Sequence, residues 1–226
     1  MLIFALDTES DKAKKIAMDF FPYVEIFKIG SRLFTASGHE IVRWIHRHKR
    51  KVFLDLKFHD IPSTVAECVK NAVRMKVWGL TVHTLGGYAM MKEAVKAAEQ
   101  EAKKIKVPRP LLLGVTILTS LNNNGLKKIG IFQNISQQVT RLAALAKNCG
   151  LDGVVASGKE IAMIRKVCGK KFLIAVPGVR FARQKSADQK RIVTPEEARS
   201  LGANYWIAGR AILQAHDPLD AIKKMQ

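Results

Sequence analysis

Four ionisable side chains crowd into six consecutive positions in the stretch Asp55-Leu56-Lys57-Phe58-His59-Asp60-Ile61-Pro62. Val52, Phe53 and Leu54 just before it read as a buried strand, and on a strand residues two apart share a face. Asp55 and Lys57 are therefore expected to project together while Leu56 points away. Charge in such apolar surroundings is costly unless it is compensated, so the pair implies mutual neutralisation. Lys28 closes the preceding apolar run and is placed to neighbour Asp55. Asp60 follows in the loop, before Pro62 opens the next helix at its first position. A salt bridge serving stability alone needs only Asp55 and Lys57. Four alternating charges at one strand end exceed that need, and such networks cluster at functional sites. An ammonium fixed between carboxylates can stabilise developing negative charge and then donate a proton.

Other polar residues gather at or just after the ends of apolar runs: Asp7, His83, Thr116, Thr119, Arg180 and Arg210. So many, from almost every run, point to a polar pocket for an anionic ligand. Arg180 and Arg210 can each fork onto phosphate oxygens, which lysine does less well. The polar stretch 181–188 has the length of a mobile lid. Gly86-Gly87 reads as a turn and helix start. The six histidines show no His-Glu-x-x-His spacing, and a packing or orienting role is expected for His59 and His83.

These residues must be positioned by alternating elements. Strand-type runs fall at residues 2–7, 24–29, 52–57, 80–83, 111–116, 153–156, 172–176 and 205–208. Helical patterns fall at 11–20, 31–47, 63–75, 88–104, 136–149, 159–167, 195–201 and 218–224. Eight such units predict parallel strands with crossover helices. A doubly wound open sheet is the rival. The count of eight, the length of 226 residues and the lack of a Gly-x-Gly-x-x-Gly turn after the first strand favour a closed (β/α)8 barrel. Its active site is expected at the C-terminal ends of the strands. No Ser/Gly-rich linker divides the chain, so one domain over 1–226 is expected.

Composition narrows the classes further. Apolar residues make up 48% of the chain, which excludes a disordered protein. No apolar run approaches the roughly 20 residues of a spanning helix. No signal peptide is evident, and a cytoplasmic location is expected. Cys68, Cys149 and Cys168 are far apart and odd in number, which fits reduced buried thiols and neither disulfides nor zinc. The net charge of +19 admits three readings: nucleic-acid binding, an anionic small substrate, or a general basic bias. Its densest run, RWIHRHKRK at residues 43–51, reads as the cationic end of an amphipathic helix. No zinc finger, RNA-binding motif or phosphate-binding P-loop is present, so neither a nucleic-acid partner nor a membrane partner is expected.

The stretch DLKFHDIPST, residues 55–64, resembles the signature of the orotidine 5′-phosphate decarboxylase family. Phe4-Ala-Leu-Asp7, Phe27-Lys-Ile-Gly30, Gly114-Val-Thr-Ile-Leu-Thr-Ser120, Pro177-Gly-Val-Arg180, Asp188-Gln-Lys-Arg191 and Ala208-Gly-Arg210 extend the resemblance over nearly the whole chain, in the order of the bacterial form. The resemblance implies a (β/α)8 enzyme that converts orotidine 5′-monophosphate to UMP and carbon dioxide, without metal or other cofactor. It implies that Lys57 protonates the ring carbon, that Asp55 and Lys28 hold it, and that Asp7 and Lys28 contact the ribose. It places Asp60 near the departing carboxylate, supplied with Ile61 and Thr64 by the other subunit of a homodimer. It implies that Thr119 reads the pyrimidine edge, that Arg180, Gly209 and Arg210 hold phosphate, and that Gln189 bridges phosphate and base. Val176-Pro177 stands where Thr-Pro is common, and Leu121-Asn-Asn-Asn-Gly125 is an unusual insert-like stretch. Asp-x-Lys-x-x-Asp alone is shared with metal-dependent sugar-phosphate decarboxylases and lyases of the same scaffold, which remain the alternative enzyme reading. A basic nucleic-acid-binding protein is the alternative from another class.

Overall fold

A computed structural model describes residues 1–181 and 193–225. Eight strands, β1 (Leu2–Ala5), β2 (Ile26–Gly30), β3 (Lys51–Phe58), β4 (Gly79–His83), β5 (Leu111–Val115), β6 (Gly153–Val155), β7 (Leu173–Pro177) and β8 (Tyr205–Ala208), pair in chain order, and β8 pairs with β1. All pairs are parallel, so the sheet closes into a (β/α)8 barrel. Its helices are α1 (Ser10–Phe20), α2 (Ser31–Arg47), α3 (Pro62–Arg74), α4 (Gly87–Ile105), α5 (Asn123–Lys128), α6 (Ile135–Asn148), α7 (Ile161–Cys168), α8 (Pro195–Ser200), α9 (Arg210–Leu213) and α10 (Pro218–Lys224).

Alternation along each strand sorts the side chains into two apolar layers. Ile3, Ala5, Ile26, Phe53, Leu113, Val155, Ala175 and Ile207 pack inside the barrel. Leu2, Phe4, Phe27, Ile29, Val52, Leu54, Leu80 and Val82 pack outward under the helices. Following the inward parity toward the strand ends leads from Ala5 to Asp7, from Ile26 to Lys28, and from Phe53 to Asp55. The inner column thus changes from apolar to charged within one step on three neighbouring strands.

The structure differs from the sequence expectations at identifiable places. Helix α2 has the expected ends, but Gly38 takes φ 54° and ψ −143° and breaks it into two helical segments. Two short helices were not anticipated. One is α5, inside the Asn-rich stretch, where the Asn122 side chain accepts a hydrogen bond from the Gly125 amide at 2.9 Å and caps the turn. The other is α9, which begins at Arg210 directly after β8. Both are too short for a periodic signal.

Gly153 opens β6 where the neighbouring strand comes very close. A Cβ there would lie 2.2 Å from the Leu173 carbonyl oxygen. Gly153→Ala is therefore expected to force β6 and β7 apart and to cost on the order of 1–3 kcal/mol. Chemical denaturation measures this, and an unchanged midpoint would contradict the close-approach reading.

Candidate active site

A line of alternating charges crosses the inner ends of β1, β2 and β3. The Lys28 ammonium lies 2.7 Å from Asp7 Oδ1 and 3.5 Å from Asp55 Oδ2. Asp55 Oδ1 in turn accepts from the Lys57 ammonium at 2.9 Å. Lys28 and Asp55 are buried, whereas Asp7 is exposed and Lys57 half-buried. Burial pushes the Asp55 carboxyl up, but the Lys28 and Lys57 ammoniums and the Thr81 hydroxyl overcome it and hold the group below the usual carboxylate range. Burial likewise pulls Lys28 down, and Asp55 with Asp7 overcomes that and raises it. Each buried charge is thus kept ionised by its neighbours. Gly30, two residues after Lys28, leaves room for this pair: a Cβ there would lie 3.0 Å from Nζ of Lys28 and 3.1 Å from Oδ1 of Asp7.

Asp55 and Lys57 project together as the strand period predicts, but not through regular strand geometry. The register between β3 and β4 shifts between Leu54 and Phe58, and Lys57 has φ 51°. A lysine in the left-handed region is strained by roughly 1–2 kcal/mol. Thr81 on β4 holds it there. The fully buried Thr81 hydroxyl accepts from the Lys57 amide at 2.9 Å and donates to Asp55 Oδ1 at 3.0 Å. Sequence reasoning missed Thr81. Its signal was weak: a polar residue inside the apolar run Leu80–Val82, on the inward parity.

The network forms one wall of a cavity of about 260 Å³ at the C-terminal ends of the strands. Asp7, Lys28, Asp55, Lys57, Thr119, Arg180, Gly209 and Arg210 all line it, so the structure brings eight of the expected residues to one place. Val115, Ile117, Val155 and Ile207 supply its apolar surface. Arg180 is buried despite its charge, and Arg210 stands exposed at the first position of α9. Gly209 proves to be required by the fold itself: a Cβ there would meet the Ala5 carbonyl oxygen at 2.6 Å. Asp60, Ile61 and Thr64 do not line the cavity. They are exposed where β3 leads into α3, Ile61 by 64%, and Asp60 Oδ1 accepts from the Ile61 amide at 2.6 Å. Gln189 and the expected lid beyond Phe181 lie outside the described residues. Thr116 is a packing residue, its hydroxyl donating to the Val155 carbonyl at 3.0 Å.

His59 and His83 stack on one another, with ring centroids 5.1 Å apart and planes 18° apart. His83 Nδ1 accepts from the Leu85 amide at 3.3 Å, which leaves the proton of the neutral ring on Nε2. Burial, aided by the charges of His59 and Lys57, pulls His83 down to about 4. It is therefore neutral near neutral pH and adds no positive charge beside Lys57. Among the described residues no three His, Cys, Asp or Glu side chains gather as a metal-holding group, and no helix is long and apolar enough to cross a membrane.

The chain is similar to known proteins over nearly its whole length. Residues 1–225 match the family described as "Orotidine 5'-phosphate decarboxylase / HUMPS family". The chain is 45% identical over 225 residues to the protein named orotidine 5'-phosphate decarboxylase of Syntrophotalea carbinolica, covering 99% of this chain and 92% of that one. It is 47% identical over 221 residues to the protein of the same name from Geotalea daltonii, covering 97% and 92%. Among solved structures, orotidine 5'-phosphate decarboxylase from Lactobacillus acidophilus superposes with a TM-score of 0.85 at 33% identity, covering 99% of this chain and 97% of that one. An uncharacterised conserved protein from Geobacillus kaustophilus superposes with a TM-score of 0.87 at 34% identity, covering 100% and 98%.

Two outcomes test this geometry. Thr81→Val keeps the shape but leaves the Lys57 amide without this acceptor and removes one of the two hydrogen bonds to Asp55 Oδ1, and is expected to cost about 1–3 kcal/mol. Thr81→Ser should recover most of that in denaturant titration, and equal losses for both variants would refute the hydrogen-bonding role. For His83, the folded group titrates near 4 and the unfolded one near its ordinary 6.5. Between those values the unfolded chain binds a proton that the folded chain does not, so stability falls as pH drops from about 6.5 to about 4. His83→Gln should flatten that part of the stability–pH curve, and superimposable slopes would contradict the burial of a neutral ring.

Proposed function

The chain belongs to the orotidine 5'-phosphate decarboxylase / HUMPS family, and from that premise we propose that it decarboxylates orotidine 5′-monophosphate to UMP, a step of de novo pyrimidine biosynthesis. The observation that carries this reading is the Lys57 ammonium, 2.9 Å from Asp55 Oδ1 in a cavity that also holds Arg180 and Arg210. Loss of carbon dioxide from an sp2 ring carbon leaves an electron pair with no adjacent carbonyl to receive it. A fixed ammonium beside that carbon stabilises the pair electrostatically. As the bond to the carboxylate breaks, the pair stays on the ring carbon, carbon dioxide departs, and Lys57 delivers a proton to the same carbon. The neutral amine then regains a proton from solvent. Asp55 orients the Lys57 ammonium beforehand, and Lys28 and Thr81 hold Asp55 in place.

Recognition is assigned to the rest of the cavity. Asp7 and Lys28 take the ribose hydroxyls, Thr119 the pyrimidine edge, and Arg180, Gly209 and Arg210 the phosphate, with Gln189 bridging phosphate and base. Phosphate binding is remote from the breaking bond, yet its energy can exclude water and hold the ring against Lys57. Asp60, Ile61 and Thr64 are assigned to the site of a second copy. Their exposure at the start of α3 supports this, since a 64% exposed isoleucine beside an acidic residue needs a covering partner to act in a dry pocket. The protein then works as a homodimer with shared sites and as one catalytic domain over 1–226, in the cytoplasm.

The metal-dependent sugar-phosphate enzymes of the same scaffold share the Asp-x-Lys-x-x-Asp core, so chelation decides between the readings. Orotidine 5′-monophosphate incubated with the protein in EDTA should lose its ultraviolet absorbance signature, and Lys57→Ala should slow the loss by roughly 10²–10⁴-fold or more. Activity abolished by EDTA and restored by a divalent cation would overturn the cofactor-free reading. Shared sites are tested by mixing inactive Lys57→Ala and Asp60→Ala chains. Partial recovery is expected, because some mixed dimers carry one intact site. No recovery after demonstrated subunit exchange would place Asp60 in its own chain's site.

A further inference from the structure

The opposite end of the barrel, where the strands begin, carries a second hollow that decarboxylation does not use. It has a volume of about 610 Å³, the size of a small-molecule site, and Lys51, Lys76, Trp78, Lys106, Arg109 and Tyr205 line it. Trp78 and Tyr205 are half-buried and meet edge to face, 5.3 Å between centroids. They form an apolar floor beneath a cationic rim. Lys51 is paired with Glu25 at 2.6 Å and Arg109 with Asp152 at 2.7 Å. Among the described residues, Lys76 and Lys106 have no carboxylate within ion-pair distance.

The backbone at these two lysines is the second observation. The turns ending α6, α7 and α8 each use a left-handed glycine, Gly150, Gly169 and Gly202. The turns ending α2, α3 and α4 use left-handed lysines instead, Lys49 (φ 57°), Lys76 (φ 57°) and Lys106 (φ 55°). A Cβ in this conformation crowds the following carbonyl, and glycine is the residue that avoids it. Two of these strained lysines line the same hollow. The fold thus accepts an unfavourable backbone twice, with unpaired positive charge as the result. Lys49 shares the conformation but does not line the hollow, so it is the coincidence of strain, charge and cavity at Lys76 and Lys106 that points to a function.

We propose that this hollow binds a nucleoside di- or triphosphate, with the base against the Trp78–Tyr205 floor and the phosphates between Lys76 and Lys106. Two unpaired ammoniums suit more than one phosphate, and flat rings suit a base, whose face stacks on aromatic side chains. Asp60, Ile61 and Thr64, the residues assigned to a second copy, lie at the other end of the barrel, so the hollow stays open in such a dimer. The proposal is independent of the decarboxylation reading.

The test is calorimetric titration of the whole protein with UTP, ATP or tripolyphosphate, in the presence of saturating UMP to occupy the other cavity. Saturable binding of a nucleoside triphosphate under that condition is expected, tighter than that of tripolyphosphate. The double variant Lys76→Gly/Lys106→Gly should weaken it by at least roughly tenfold, as expected for two lost charge-assisted contacts. The same variant should melt at a higher temperature than the wild type, since glycine relieves the left-handed backbone, and should keep its decarboxylation kinetics. Trp78→Phe should weaken the nucleotide and leave tripolyphosphate unchanged. Absence of saturable binding, competition by UMP, or unchanged affinity in the double variant would overturn the site. Equal affinity for tripolyphosphate and nucleotide would overturn the nucleotide assignment.

Discussion

Everything in the described cavity depends on keeping one carboxylate ionised where water is scarce. Asp55 is buried at the end of an apolar strand, and a lone charge there would take up a proton or pull the strand open. Lys28 on one side, Lys57 on the other and the Thr81 hydroxyl together remove that option. Asp55 in turn orients the ammonium of Lys57. Removing either partner leaves a charge whose desolvation is no longer compensated, which is why such a network tolerates little change.

The network also explains a local irregularity. A regular strand would carry Lys57 past Asp55 with ordinary backbone angles. The register shift and the positive φ at Lys57 instead turn the chain at the barrel rim. The Thr81 hydroxyl takes up the Lys57 amide that the distorted ladder no longer pairs in its usual way. Bulges commonly re-aim side chains beside active sites. Here the re-aimed side chain is the proposed proton donor, and the strain is held by a residue on the next strand, not by the loop.

Charge is divided between two ends of the molecule. At the strand ends, acidic and basic groups alternate around the cavity. At the strand beginnings, cations lie over an aromatic floor, and among the described residues Lys76 and Lys106 lack acidic partners.

Much of this was legible in the residues alone. Eight alternating units point to parallel strands with crossover helices, and their count, the chain length and the missing Gly-x-Gly-x-x-Gly turn favour the closed sheet over an open one. The parity that sends Ile3 and Ala5 inward also sends Asp7 inward, and the same rule places Lys28 and Asp55. Local chemistry sufficed there because period and burial follow from neighbours in the chain. Thr81 and the left-handed Lys57 were not legible. Their roles arise between strands β3 and β4, where a hydroxyl and an amide 24 positions apart come within hydrogen-bond reach. The reason for Gly209 lay equally out of view, since what it avoids is a carbonyl on β1, at the far end of the sequence. The sequence by itself determined which charges face inward. Only closure of the barrel decided how they pair, because ion-pair and hydrogen-bond energies depend on distances between elements that no single stretch of chain contains.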